Sequence, residues 1–244
     1  MEHWITQANR IEIIQLLDKR CNSFLVRKDG LAVLVDTSIG KESKLLLTRL
    51  EELGVDALHG ILLTHVHFDH VGNAHLLQNQ FGCPVFIHSS EKQYLMEGCT
   101  RLPEGTWPVT KLITSIVGDR VLRGHRFPVC SGTILTKQSD DLAVGFGSFT
   151  SALAQLCIQC FCTPGHTKGS MSYTVDDEVA LVGDTMVNFS GRDVFPPFAN
   201  QPELLPESWK MLLDTNCTSF LPAHGRRIDR ELLKRSFSKI VARF

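Results

Sequence analysis

The sequence predicts a layered domain of the α/β (α+β) class. Short apolar runs typical of buried strands recur along the chain, and segments with the stripe of an amphipathic helix lie between them. The chain has 244 residues, of which 43% are hydrophobic, and can therefore bury one large core. Because no linker, repeat or low-complexity tract interrupts it, we expect a single domain over residues 1–244.

The first third of the chain is predicted to form strands joined by turns, with two helices among them. Strands are expected at residues 11–17, 23–27, 31–36, 60–63 and 84–88. One helix is expected over about 41–53, where leucines fall on one stripe, and another near 73–81. The run at 60–63 is apolar after its glycine, which is typical of a strand buried on both faces.

The rest of the chain combines an irregular segment with a second set of strands and helices. Between about residues 96 and 148, glycines and prolines break the periodicity, so we expect an irregular segment that forms a lid or a binding loop. Trp107 and Phe127 in this segment either line a substrate pocket or pack in the core. Beyond it, strands are expected at 157–162, 178–183 and 218–223, and helices at 206–214 and 229–243.

Histidines and aspartates concentrate where the predicted strands end. Seven of them follow four strand-like runs: His65, His67, Asp69, His70, His166, Asp184 and His224. Imidazole nitrogens and carboxylate oxygens are good ligands for Zn²⁺, Mn²⁺ and Fe²⁺, and these groups are too many for one tetrahedral ion. Strand ends in layered α/β folds converge on one crevice, so the sequence predicts two metal ions side by side.

The spacing within the first group has a mechanical basis. His65 and His67 are two residues apart, and an extended backbone points side chains at that spacing to the same side. Asp69 and His70 follow on a turn into a helix, and we expect them to face a second position nearby. A solvated histidine-rich loop is the alternative, which is disfavoured by four such groups within six residues.

The order of these motifs resembles that of the metallo-β-lactamase superfamily of metallohydrolases. The motifs are HxHxDH at 65–70, TPGHT at 163–167, GDT at 183–185 and PAHG at 222–225. The resemblance implies an αββα sandwich, with two packed mixed sheets flanked by helices and the site at one edge. It also implies two metal sites, one built by His65, His67 and His166, the other by Asp69, His70 and His224, with Asp184 bridging them.

The resemblance implies a metal-dependent hydrolase with a binuclear site. Two cations that hold one water lower its pKa toward neutrality, which yields a hydroxide able to attack an ester or thioester carbonyl. Asp69 would bind a metal and accept a hydrogen bond from that water, which makes it the expected catalytic residue. We expect two zinc ions per chain, with iron or manganese as the alternatives.

Other chemistries of related proteins stay open. Persulfide dioxygenases resemble this site but use one Fe²⁺ held by two histidines and an aspartate, which correspond to His65, His166 or His67, and Asp184. Glyoxalase II-type thioesterases share the HxHxDH and GDT motifs, but they resemble a fold with a glutathione-binding domain after the last motif. Homoserine-lactone lactonases have a tyrosine where this chain has Val187. A lactonase or a phosphodiesterase is a further alternative.

Charge and composition bear on partners and location. The net charge is −1 and the pI about 6.8, with no block of basic residues to follow a nucleic-acid backbone. We therefore expect a small-molecule substrate and no nucleic-acid partner, and leave the oligomeric state open. The first residues lack the pattern of a signal peptide and no apolar run is long enough to span a bilayer. We expect a soluble, cytoplasmic protein without a membrane partner.

Three of the eight cysteines are closely spaced. Cys157, Cys160 and Cys162 form a CxxC and a CxC pattern, which a structural zinc site would also use. No second cysteine pair lies at the spacing of a zinc ribbon, and the three fall on a predicted strand. We interpret them as small buried thiols and expect all eight cysteines to be reduced.

Overall fold

Two β-sheets packed face to face form the centre of the protein, and helices cover their outer faces. The structure is a computed structural model that describes residues 1–122, 125–135 and 147–244. Both large sheets are mixed, with parallel and antiparallel strand pairs. The predicted fold class is confirmed: the layers follow one another as helices, sheet, sheet and helices, which is the αββα sandwich.

The first sheet is built mainly from the N-terminal part of the chain. Its strands, in spatial order, are β1 (His3–Ile5), β2 (Glu12–Leu17), β3 (Ser23–Lys28), β4 (Leu31–Val35), β5 (Gly60–Leu62), β6 (Val85–His88) and β9 (Gly132–Leu135). The strands from β1 to β4 pair antiparallel. From β4 to β9 the pairs are parallel, so the carboxyl ends of β4, β5 and β6 meet at one edge.

The second sheet comes from the C-terminal part. Its strands, in spatial order, are β10 (Ile158–Cys162), β11 (Met171–Val175), β12 (Val179–Gly183), β13 (Ser219–Pro222) and β14 (Ile228–Asp229). Strands β12 and β13 pair parallel, and the other neighbours are antiparallel. A separate two-stranded ribbon pairs β7 (Cys99–Thr100) with β8 (His125–Arg126).

Helices connect the strands and close the outer layers. They are α1 (Ser43–Glu52), α2 (Phe68–Val71), α3 (Ala74–Phe81), α4 (Lys92–Glu97), α5 (Pro108–Leu122), α6 (Gly147–Gln155), α7 (Leu205–Leu213) and α8 (Arg230–Val241). Helix α8 begins at an N-cap, because the Asp229 side chain accepts a hydrogen bond from the backbone N–H of Leu232 at 2.7 Å. In the described part of the chain, no helix combines the length and the hydrophobicity that crossing a bilayer requires.

The alternation of side chains along the strands explains the layers. In β4 and β5, Leu34 and Ile61 point to the helices α1 and α3, whereas Val33 and Leu62 point to the second sheet. The space between the sheets also holds Tyr173 and other apolar side chains of the second sheet. A third apolar layer joins the second sheet to α7 and α8 around the fully buried Trp209. Both faces of each sheet are therefore buried, which matches the apolar runs in the sequence.

The segment from residue 96 to 148 is more regular than predicted. It contains the 15-residue helix α5 and the strands β7, β8 and β9. Pro108 begins α5 at a first-turn position where its missing N–H costs no hydrogen bond, so that proline marks a helix start rather than a loop. Phe127 packs in the core beneath the first sheet, and Trp107 is 38% exposed. Part of this segment, 123–124 and 136–146, lies outside the described residues, and the lid stays a prediction.

The three closely spaced cysteines lie on and next to strand β10. Cys160 and Cys162 are in β10, half-buried against the core between the sheets, while Cys157 precedes the strand with a φ of 46°. Within the described ranges, no group of potential metal ligands includes any of these three cysteines. None of the eight cysteines, all of which lie in the described ranges, forms a disulfide bond. The three thiols are half-buried rather than fully buried, so the prediction of buried thiols holds only in part.

Tyr173 joins the two sheets next to the histidine motif, and its hydroxyl should measure how much that link contributes. The side chain is fully buried, and its hydroxyl donates a hydrogen bond of 2.7 Å to the carbonyl oxygen of Leu63. We expect Tyr173→Phe to lower the free energy of unfolding by about 1–2 kcal/mol, because that carbonyl would lose its partner in the core. Urea unfolding measures the change. The chain's other tyrosine, Tyr94, is 41% exposed, so Tyr94→Phe is the control, and equal losses in both variants would contradict the argument.

Candidate metal centre

The loop after β5 carries the first two histidines into the edge of the sandwich. His65 and His67 are buried, and their rings meet edge to face with centroids 4.4 Å apart. Nε2 of His65 lies 2.7 Å from Nδ1 of His67, so the two rings converge on one position, as the spacing of two residues predicts.

His166 completes this first cluster from the other half of the chain. It follows β10, and its Nε2 lies 3.1 Å from Nδ1 of His67. The ligand atoms of His65, His67 and His166 all lie within 4.8 Å of one another. Oδ2 of Asp184, the residue directly after β12, is 3.5 Å from Nε2 of His166. Three imidazole nitrogens and one carboxylate oxygen therefore face one point.

A second cluster forms on the other side of Asp184. Its Oδ1 is 3.7 Å from Nε2 of His70 and 3.5 Å from Nε2 of His224. Asp69 contributes one oxygen 3.4 Å from Nε2 of His224 and the other 3.9 Å from Nε2 of His70. The structure thus brings all seven predicted side chains together, in two groups that share the carboxylate of Asp184.

Two buried atoms in these clusters indicate that the residues fit a cation. Among the described residues, Nε2 of His70 and Oδ1 of Asp184 are buried side-chain atoms without a hydrogen-bond partner. An unpaired buried polar atom is costly, and two such atoms 3.7 Å apart are unusual in a folded protein. A divalent cation between them would satisfy both, and their chemical types suit zinc, iron or manganese.

Comparison with known proteins identifies the fold family. The sequence of residues 17–125 matches the family model of the metallo-beta-lactamase superfamily. The probable metallo-hydrolase YqgX of Bacillus subtilis is 27% identical over 212 residues, which are 86% of this chain and 87% of that protein. This chain belongs to the metallo-β-lactamase superfamily.

Solved structures show the same superfamily fold. ST1585 from Sulfolobus tokodaii, an archaeal protein of the superfamily, aligns with a TM-score of 0.64 at 18% identity, over 94% of this chain and 86% of that one. TTHA1623 in a di-iron-bound form aligns with a TM-score of 0.59 at 24% identity, over 92% of this chain and 97% of that one. At these identities the likeness concerns the fold alone.

Hydrogen bonds on the far side of the rings orient the imidazoles of this metallo-β-lactamase fold. Nδ1 of His166 donates to the carbonyl oxygen of Phe198 at 2.8 Å. Nδ1 of His70 donates to Oδ2 of Asp36 at 2.9 Å. Because these acceptors hold a proton on Nδ1, Nε2 is the nitrogen of each ring that is directed at the cluster and would bind a cation.

The ionisation states also suit metal binding. Burial lowers the pKa of His67 to about 3, and it lowers the pKa of His65 and His166 as well, so these imidazoles are neutral at pH 7. Burial raises the pKa of Asp69, but the hydrogen bond from His224 and the charge on His70 outweigh it and hold the pKa at about 2. Neutral imidazoles and ionised carboxylates are the forms that coordinate metals. The pKa of His70 and that of His224 are raised, because nearby negative charges, Asp184 among them, outweigh burial, so a cation bound there would displace a proton from each ring.

Asp36 anchors the first motif, and sequence reasoning missed it. The carboxylate lies just past β4, 2% exposed, where Oδ1 accepts from the backbone N–H of Thr64 at 2.8 Å. Oδ2 accepts from the hydroxyl of Thr64 at 2.8 Å and from Nδ1 of His70 at 2.9 Å. An acidic residue that directly follows an apolar strand was the only local signal. Asp36 fixes both the start of the histidine loop and the ring of His70.

Glu91 joins the two ligand loops, and no sequence motif indicates it. This residue is 1% exposed, and its two oxygens accept from the backbone N–H groups of Val66 at 3.1 Å and Gly169 at 3.2 Å. Val66 separates the first two histidines, and Gly169 follows His166 by three residues. One buried carboxylate therefore holds the two loops of the first cluster in register.

The clusters lie at the floor of a cavity of about 270 Å³. Its walls are largely apolar, and its non-ligand residues are Phe68, Leu102, Pro103, Val187, Phe189, Pro196, Pro197 and Phe198. Pro196, Pro197 and Phe198 therefore border the site, whereas Phe195, the residue before them, packs against Trp209. Neither Trp107 nor Phe127 lines this cavity. An apolar pocket with a polar, metal-suited floor fits a small organic substrate.

Asp36→Asn tests whether the ring of His70 needs its anchor. The amide keeps the shape of the side chain but has one acceptor oxygen where the carboxylate has two. It therefore leaves without an acceptor either the Thr64 N–H or both the Thr64 hydroxyl and Nδ1 of His70, and it carries no negative charge. We expect metal affinity to fall about 10- to 100-fold, measured by competition with a chromophoric chelator. Asp29→Asn, in the exposed turn between β3 and β4, is the control. Unchanged affinity in Asp36→Asn would show that the anchor does not act on the metal.

Proposed function

We propose that this protein is a metal-dependent hydrolase with two zinc ions, acting on an ester, a thioester or a similar carbonyl compound. The observation that supports it most is the sharing of Asp184 between two clusters of metal-suited atoms at the floor of an apolar cavity. The superfamily membership and the relative described as a probable metallo-hydrolase agree with this proposal.

In this proposal each cluster holds one ion. The residues would divide as His65, His67 and His166 for the first ion and Asp69, His70 and His224 for the second, with Asp184 contributing to both. Bound metals of this kind lower the pKa of a coordinated water toward neutrality and polarise the carbonyl under attack. Zinc suits five imidazoles and two carboxylates, as iron does, and one structural neighbour was solved in a di-iron-bound form.

The surroundings of Asp69 support its proposed role as the catalytic carboxylate. It belongs to the second cluster, yet it also lines the cavity, and its side chain is 21% exposed. The pKa of about 2 keeps Asp69 ionised at neutral pH. Its carboxylate can therefore accept a hydrogen bond from a water molecule and so direct the lone pair of the water oxygen at a substrate. Nε2 of His224 lies 3.4 Å from Oδ2 of Asp69 and helps to hold the carboxylate in place.

The cavity walls favour a small acyl substrate with an apolar portion. Phe68, Leu102 and Phe198 offer apolar contact beside the ligand atoms. Val187, the residue that stands where lactonases have a tyrosine, is 3% exposed and supplies no hydroxyl to the cavity. These walls support carbonyl chemistry on an acyl group rather than recognition of a lactone ring or a phosphodiester.

An iron-dependent persulfide dioxygenase is the competing proposal. That chemistry needs one ion. His65, Asp184 and either His166 or His67 would be enough to hold it. Asp69 lies 3.4 Å from Nε2 of His224 and 3.9 Å from Nε2 of His70, and this grouping supports a second ion, because an unused site would leave buried polar atoms without partners.

Asp69→Ala should reduce turnover far more than substrate binding. The substitution removes a proposed ligand and the acceptor that orients the attacking water, so we expect kcat to fall on the order of 100-fold or more with little change in KM. Metal content is measured on the same preparation. Asp214→Ala, which removes an exposed carboxylate on another face, is the control. An unchanged kcat at full metal content would exclude both roles for Asp69.

A substrate panel tests the acyl assignment. We expect kcat/KM for thioesters and esters with short apolar acyl groups to exceed the values for an acyl-homoserine lactone and for a phosphodiester by about tenfold or more. Activated esters react with most metal hydroxides, so unactivated thioesters are the informative substrates, and Asp184→Ala provides the inactive control. A lactone or phosphodiester that ranks first by a similar margin would contradict the assignment.

A further inference from the structure

A second cavity adjoins the metal centre and is not explained by the chemistry above. It has a volume of about 730 Å³, and two of its lining residues, Phe68 and Asp69, also line the cavity over the metal ligands. The two cavities therefore adjoin at Phe68 and Asp69.

Three basic side chains line this cavity. Arg20 comes from the turn between β2 and β3, Lys41 from the segment before α1, and Arg126 from β8. They are far apart in sequence, so only the fold brings them together. Asp69 is the one carboxylate of the lining, and its oxygens face His70 and His224 in the second cluster.

Among the residues that line this cavity, three are basic and only Asp69 is acidic. In the part of the chain that the structure describes, lysine and arginine form ion pairs as Arg27–Glu12, Lys210–Asp214 and Lys234–Glu231. None of these pairs includes Arg20, Lys41 or Arg126. In a chain with a net charge of −1, three unpaired cations around one cavity form a local field that attracts anions.

A third cavity, next to His67, differs in the charge of the residues that line it. It adjoins His67 and has a volume of about 600 Å³, with Arg101 and Lys168 in its lining. Glu91 and Glu97 line the same space, so its basic and acidic groups balance. The uncompensated charge thus lies on the Asp69 side, where Ile39 and Phe127 add apolar walls that strengthen electrostatic attraction.

We propose that the cavity lined by Arg20, Lys41 and Arg126 binds an anionic group of the substrate, such as a carboxylate, while the scissile carbonyl lies at the metal centre. The inference rests on the proposed hydrolase function and narrows it: the substrate is an acyl compound that carries a negative charge. Guanidinium and ammonium groups bind carboxylates through charge-assisted hydrogen bonds, which are the stronger kind.

Matched thioesters test this inference. The first pair is the succinyl and the butanoyl thioester of N-acetylcysteamine, which differ in one carboxylate on the acyl group. The second pair is the butanoyl thioester of 3-mercaptopropionate and that of propanethiol, which places the carboxylate on the leaving group. For each pair the measured quantity is the ratio of kcat/KM for the charged substrate to kcat/KM for the neutral one.

We expect Arg126→Gln and Lys41→Gln each to lower this ratio about tenfold in at least one pair, because each removes a charged donor. Arg126→Lys should retain most of the ratio, since it keeps the charge. Lys210→Gln removes one positive charge from an exposed ion pair on α7 and serves as the matched control, with a ratio within about twofold of the wild type.

The outcomes separate this inference from the proposed function. Ratios unchanged by Arg126→Gln and Lys41→Gln in both pairs, in an enzyme that hydrolyses the neutral thioesters, would overturn the anion site and leave the hydrolase intact. If Arg101→Gln lowers the ratio of kcat/KM values and Arg126→Gln and Lys41→Gln do not, the inference is also overturned, because the anion would then bind in the cavity next to His67. A wild-type protein that hydrolyses neither pair would contradict the proposed function itself, and the inference with it.

Discussion

Seven polar side chains share a space a few ångströms wide because other groups hold them there, although two of their buried atoms, Nε2 of His70 and Oδ1 of Asp184, have no hydrogen-bond partner. The anchors all bind atoms that face away from the clusters. Asp36 holds Thr64 and the outer nitrogen of His70, and the Phe198 carbonyl holds the outer nitrogen of His166. Nε2 of His70 and Oδ1 of Asp184 stay without a hydrogen-bond partner as a result, which is the property that makes the site suitable for metal ions.

The sandwich brings these anchors together from both halves of the chain. Tyr173 fixes the end of the first sheet to the second sheet immediately before the histidine loop, and Glu91 ties that loop to the loop of His166. Close approach of backbones is also needed. Gly183 has a φ of 52°, and a Cβ there would collide with Thr64, so glycine allows the strand that carries Asp184 to lie against the histidine loop.

Local sequence signals were sufficient for the ligand-type residues but not for what surrounds them. His65 and His67 are two residues apart on extended backbone, Asp184 directly follows β12, and His224 comes two residues after β13, so their placement could be predicted without a structure. Asp36 and Glu91 act through partners 25 to 78 residues away, a separation at which a single sequence carries no pairing signal. Arg20, Lys41 and Arg126 were overlooked for the same reason. Helix α5 was missed because Pro108, at its first turn, resembles a loop residue.

The central claim is that the two clusters each hold an ion, and metal content measures it most directly. The protein is purified without chelators, and its metals are counted by mass spectrometry beside His166→Ala and His224→Ala, which each disturb one cluster. The account predicts about two zinc ions per chain in the wild type and about one in each variant. A single iron per chain that persists in His224→Ala, together with oxygen uptake on a persulfide, would contradict it.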